Sequence, residues 1–139
     1  MKKILLASHG KLASGIKSSI EILTGLNEQI ISIDAYLPND NSDYTPIITS
    51  FIDSIKMDDE AIIFTDIAMG SVNQKMIELM SKTNKEIYLI SGMNLPIVLS
   101  IILESRKIKK EIIDELLELC KVTHINIKDL KEYEDEDFF

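Results

Sequence analysis

The stretch Lys2-Lys3-Ile4-Leu5-Leu6-Ala7-Ser8-His9-Gly10 decides the fold, because an apolar run of strand length breaks off at a histidine followed by a glycine. A strand buried on both faces reads as a continuous apolar run, and in open α/β sheets the working residues sit just beyond the carboxyl ends of the strands. His9 is therefore the first candidate for chemistry. Lys11 to Gly25 reads as a helix, with Leu12, Ile16, Ile20 and Leu23 spaced to share one face and Gly25 placed to end it. His9 thus falls in a strand-to-helix turn.

The same unit recurs along the chain. Gln29 to Asp34 is a second strand, rich in β-branched residues. After a loop over Tyr36 to Ser42, a helix carries Pro46 in its first turn and a buried stripe of Ile47, Ile48, Phe51, Ile52 and Ile55. Glu60 to Thr65 is a third apolar strand that stops at Asp66, and Ser71 to Thr83 is the helix behind it. Glu86 to Ser91, then Leu95 to Leu103, repeats the pattern a fourth time. Lys109 to Cys120 forms a fifth, amphipathic helix, and Thr123 to Ile127 reads as a short extra strand at the C-terminal edge. Alternating strands and helices joined by right-handed crossovers give an open, mainly parallel sheet with helices on both faces. A flavodoxin-like strand order 2-1-3-4 would bring Asp66 beside His9 at the switch point, with the N-terminus of the Ser71 helix aimed into the same crevice.

Composition limits the rest. A chain of 139 residues, 45% hydrophobic, can fill one core, so residues 1–130 are expected to form a single domain. The formal charge of −8 argues against a nucleic-acid surface. Half of that charge lies in residues 131–139, where Glu132, Glu134, Asp135, Glu136 and Asp137 face only Lys131; this acidic tail is expected to be disordered. The lone cysteine, Cys120, leaves no disulfide or cysteine-based metal site within one chain and fits a reducing, cytosolic setting. The apolar run after Lys2-Lys3 is too short for a signal peptide or a membrane span, so work at a membrane would be done from solution.

A carboxylate that accepts from one imidazole nitrogen fixes the tautomer and leaves the other nitrogen as a nucleophile for phosphorus. The resulting phosphohistidine needs donors, which the backbone N–H groups of Gly70, Ser71 and Val72 and the Ser71 hydroxyl can supply at a helix N-terminus. Neither a metal nor another cofactor is called for. His124 reads as a surface or strand-edge histidine, since Ile125 and Ile127 beside it read as packing residues.

Three segments resemble the mannose-family IIA domains of the bacterial phosphoenolpyruvate-dependent sugar phosphotransferase system (PTS). They are Ile4 to Gly15, like the family's strand ending in Ser-His-Gly; Phe64-Thr65-Asp66-Ile67-Ala68-Met69-Gly70-Ser71, like its Asp-x-x-Gly-Gly-Ser turn; and Ser91-Gly92-Met93-Asn94-Leu95-Pro96, like its Gly-x-Asn-(Leu/Ile)-Pro. The resemblance implies that His9 accepts a phosphoryl group from the phosphocarrier HPr and passes it to a IIB component, which phosphorylates sugar entering through membrane subunits IIC and IID. It implies that Asp66 orients His9, that Ser71 lies on the phosphate side, that Asn94, with Ser8 and Gly10, lines the crevice, and that the protein is a cytoplasmic homodimer, peripherally associated with the transporter. Met69 for the first glycine of the turn, Val72 for proline and Gln74 for asparagine are departures. Rival readings are the IIA-like phosphoryl-carrying subunit of a dihydroxyacetone kinase system and a non-catalytic regulatory module of the same fold. The histidine phosphatases fit less well, since they carry arginine where Ser8 stands.

Overall fold

The computed structural model describes residues 1–26 and 29–133, with side chains through Leu130. Its centre is a four-stranded parallel sheet in the order β2-β1-β3-β4, built from β1 (Lys2–His9), β2 (Ile30–Ala35), β3 (Glu60–Thr65) and β4 (Ile87–Ser91). The order is the flavodoxin-like one that the alternation of elements suggests. Between and after the strands come α1 (Leu12–Thr24), α2 (Thr45–Ser54), α3 (Ser71–Met80), α4 (Leu95–Leu103), α5 (Lys110–Leu119) and α6 (Ile127–Tyr133).

Because side chains alternate across a strand, β1 feeds two cores. Ile4 and Leu6 meet Ile62 and Phe64 under α1, α4 and α5, while Leu5 and Ala7 meet Ile33, Ile63 and the α2 and α3 residues Ile48, Phe51, Val72 and Met76. Ile4, Leu5 and Leu6 are wholly buried, each worth roughly 1.5–3 kcal/mol of transfer from water. That makes β1 the spine of the molecule and its last residue, His9, a well-anchored one.

Several expected details shift. On α1 the buried face is Ala13, Ile16 and Ile20, while Leu12 and Leu23, at the two ends of the helix, are exposed. Ile47 is likewise exposed, and Ile55 is buried from beyond the end of α2. Helix α3 stops at Met80, three residues short of Thr83. The extra edge strand over Thr123 to Ile127 is absent: residues 123–126 form no ladder and Ile127 opens α6. Ile125 and Ile127, expected to pack, are largely exposed, and the extended character of the segment has no sheet to satisfy it here. Helix α6 carries three residues past the boundary expected for the acidic tail, and residues 134–139 lie outside the described residues.

Candidate functional site

β1 ends where the chain must turn sharply into α1. Gly10 takes φ +61°, a left-handed conformation that suits glycine, and its N–H donates to the Ala35 carbonyl at 2.8 Å, tying the turn to β2. Ser8 does not line the crevice as expected. It is fully buried, its Oγ accepting from Ala13 N–H at 2.8 Å and donating to Gly10 O at 3.2 Å, so it braces the turn from beneath. His9, by contrast, projects outward with 40% of its side chain exposed.

Asp66 follows the end of β3, directly beside β1, and its carboxylate is nearly all buried. Oδ2 accepts from the His9 backbone N–H at 2.8 Å and contacts His9 Nδ1 at 2.9 Å, while Oδ1 accepts from the Ile67 N–H at 3.0 Å. Burial pushes this carboxyl up, but the His9 backbone N–H, the imidazole bond and the charge of the ring outweigh it and hold Asp66 below its ordinary value of 3.8. An ionised carboxylate only accepts, so Nδ1 carries a proton, and in the neutral imidazole that leaves Nε2 with the lone pair.

A network that sequence reasoning missed sets the Asp66 turn. Thr65 Oγ1 donates to Asn73 Oδ1 at 2.6 Å, the Ser91 hydroxyl bonds the same oxygen, and Asn73 Nδ2 donates to the Ala68 carbonyl at 2.9 Å. Asn73 is buried in the first turn of α3, an unusual place for a residue that prefers caps. That mismatch was its only signal in the sequence.

Gly70 is the N-cap of α3, at φ −82° and ψ 161°. Its N–H is spent on the Ile67 carbonyl at 3.1 Å, which removes it from the expected set of phosphate donors. The N–H groups of Ser71 and Val72 open the helix and have no acceptor within it. Gly70 also lets the backbone close on the imidazole: a Cβ there would lie 3.2 Å from His9 Cε1 and 3.3 Å from the Ile67 carbonyl oxygen. Met69, the departure from glycine, is 86% exposed.

Two residues differ from their expected roles. Asn94 is a helix cap and a staple, its Oδ1 accepting from Ile97 N–H and its Nδ2 donating to the Cys120 carbonyl, both at 2.9 Å. It therefore joins the start of α4 to the end of α5 and does not line the crevice. Tyr36, unremarked in the sequence beyond its place in a loop, stacks on His9 with ring centroids 5.1 Å apart and planes 23° apart. The Ser71 Oγ donates to its hydroxyl at 2.9 Å. A cavity of about 400 Å³ adjoins the site behind Tyr36 and Ser71, floored by Ala7, Ile48, Val72 and Met76. His124 is exposed, far along the chain from this group. Among the described residues no three potential metal ligands converge.

Fold and site together define an α/β protein that presents one half-exposed imidazole, held by a carboxylate, at the switch point of a parallel sheet. Residues 3–120 match the family model for the PTS system fructose IIA component, and the chain belongs to that family of phosphoryl-carrying phosphotransferase components. Among solved structures it is similar to a Klebsiella pneumoniae protein assigned as a permease of the phosphoenolpyruvate-dependent sugar phosphotransferase system, at 28% identity over 87% of this chain and 90% of that one, with a TM-score of 0.70. The same fold occurs in the PTS IIA protein associated with the fucose utilization operon of Streptococcus pneumoniae, at 21% identity, 93% and 95% coverage and a TM-score of 0.68. It occurs also in the mannose/sorbose-specific IIA subunit of Enterococcus faecalis, at 19% identity, 91% and 96% coverage and a TM-score of 0.66. Among the described residues no helix is long and apolar enough to cross a membrane.

Proposed function

We propose that His9 is the phosphoryl acceptor of a PTS sugar transporter, loaded by phosphorylated HPr and unloaded by a IIB component that serves membrane subunits IIC and IID. The observation that carries this reading is the double grip of Asp66 Oδ2 on His9, at N (2.8 Å) and Nδ1 (2.9 Å), which leaves Nε2 as the free lone pair of a half-exposed ring. In the transfer, the bond between phosphorus and its donor atom on HPr breaks and its electron pair stays with that atom, while the Nε2 lone pair forms the new bond to phosphorus. Nδ1 keeps its proton, so the ring becomes cationic and Asp66 balances it. The Ser71 and Val72 N–H groups receive the phosphoryl oxygens at the positive end of α3. Transfer to IIB is the same step in reverse geometry.

Exposed Ile67 and Met69, in the turn after Asp66, and Leu12, the first residue of α1, give a protein partner an apolar rim to dock on. Assembly follows from the sheet. Among the described residues β4 is paired only with β3, and beside its outer edge runs a groove lined by Leu89, Ile113 and Leu117, with Val122, Ile125 and Ile127 exposed further along the chain. Such an edge favours pairing with a second copy, and we assign the homodimer to this side. The protein would work in the cytoplasm, at the face of its transporter.

Incubation with phosphoenolpyruvate, Enzyme I and HPr tests the acceptor. The wild-type chain is expected to take one acid-labile, base-stable phosphoryl group, and His9→Ala none. A group that persists in His9→Ala, or that maps to His124, overturns the assignment.

A further inference from the structure

We propose that Tyr36 is a positioning residue for His9, the aromatic plate that fixes the plane of the imidazole and with it the direction of Nε2; the inference rests on His9 being the phosphoryl acceptor. A hydrogen bond at Nδ1 sets the tautomer and anchors one ring atom, but the ring remains free to swing about that anchor. Three contacts together remove the freedom. Asp66 holds Nδ1, the Tyr36 ring covers one face at 5.1 Å, and the Gly70 backbone closes on the Cε1 edge.

The placement of Tyr36 follows from register and backbone. Ala35 stands opposite His9 in the β1–β2 ladder, so the next residue of the chain emerges beside the imidazole. Tyr36 then takes φ +59°, one of two non-glycine residues with a left-handed φ among the described residues. A residue with a β-carbon keeps that conformation only where its surroundings over-determine it, and such residues gather at functional sites. Core filling is not the reason, since Tyr36 is 62% exposed. Its hydroxyl, accepting from Ser71 Oγ at 2.9 Å, ties the ring to the first residue of the helix proposed to receive the phosphoryl oxygens. Once Nε2 is phosphorylated with Nδ1 still protonated, the cationic ring also gains from the π face laid against it.

The test compares Tyr36→Phe with Tyr36→Asn by three measurements: single-turnover transfer from phosphorylated HPr, thermal midpoint, and the nitrogen NMR titration of the His9 imidazole without any phosphoryl donor. Asparagine accepts a left-handed φ readily, so its backbone is at ease while the plate is gone. Phenylalanine keeps the plate and loses only the Ser71 bond. Transfer by Tyr36→Phe is expected within about threefold of wild type, and that of Tyr36→Asn to fall about tenfold, the size of a lost aromatic stack. The Asn variant should keep its midpoint within about 2 °C yet shift the titration and broaden the imidazole signals. Wild-type transfer and titration in Tyr36→Asn would overturn the proposal, and so would equal losses in both variants, which would place the effect on the hydroxyl. If the wild-type chain takes no phosphoryl group, the acceptor assignment fails, while the titration, recorded without a donor, still decides whether Tyr36 orients the ring.

Discussion

Asparagine in place of Asp66 separates the two jobs this side chain performs. One carboxylate oxygen accepts from His9 N at 2.8 Å and Nδ1 at 2.9 Å, and the other accepts from Ile67 N–H at 3.0 Å. An amide exchanges one acceptor for a donor, so whichever way it turns an NH₂ group meets an N–H. Turned toward Ile67 it strands that N–H; turned toward His9 it forces the proton onto Nε2 and removes the nucleophile. Bonds to a charged acceptor are worth roughly 1.5–3 kcal/mol against 0.5–1.5 for neutral ones, so the variant should lose about 2 kcal/mol of stability, or about 7 °C in thermal midpoint. The rate should fall by more than this loss of folded protein explains. As Nε2 bonds phosphorus, a positive ring forms 2.9 Å from the carboxylate; with 40% of the His9 side chain exposed, an effective dielectric of about 40 gives ~3 kcal/mol, a hundredfold in rate. Rapid-quench transfer from phosphorylated HPr, normalised to the folded fraction, reads this directly. An Asp66→Asn protein that is less stable but transfers at the wild-type rate per folded molecule would refute the orienting role and leave Asp66 as a turn carboxylate. The pH dependence has a definite sign: the Asp66 pKa is lowered on folding, so its stabilisation is complete above 3.8 and is lost as pH falls through the folded-state value below that. Denaturation midpoints of wild type and variant should therefore differ at neutral pH and converge at the acid end.

Gly70→Ala keeps an ordinary backbone but places a methyl 3.2 Å from His9 Cε1, so transfer should drop about tenfold with little change in midpoint; an unchanged rate would show that the ring has room to give. Asn94→Ala removes a cap worth about 1 kcal/mol and should lower the midpoint by about 3–4 °C while leaving transfer per folded molecule intact; a rate loss without a stability loss would return Asn94 to the crevice. Light scattering of the full chain at micromolar concentration should give the mass of two copies, and a chain ending at Val122 should give one; a monomeric full chain would contradict the β4-edge dimer.

The order of elements and the two chemical residues were legible in the sequence because both are local. Apolar runs of strand length announce buried parallel strands wherever they occur, and His9 and Asp66 are the residues at which two such runs stop. The order 2-1-3-4 then makes them neighbours without any further information from side chains. Tertiary structure alone decided what surrounds them. Tyr36 reaches His9 because Ala35 pairs with His9 across the sheet and because the chain there enters a left-handed turn, neither of which leaves a periodic trace. Ser8 and Asn94 were crevice residues only by the family resemblance, and each spends its polar atoms on backbone groups instead. Asn73 joins β3, β4 and the Asp66 turn through residues 8 and 18 positions away. At the C-terminus the extended look of Thr123 to Ile127 was a preference without a partner, and a segment of that kind becomes a strand only where a sheet edge is within reach.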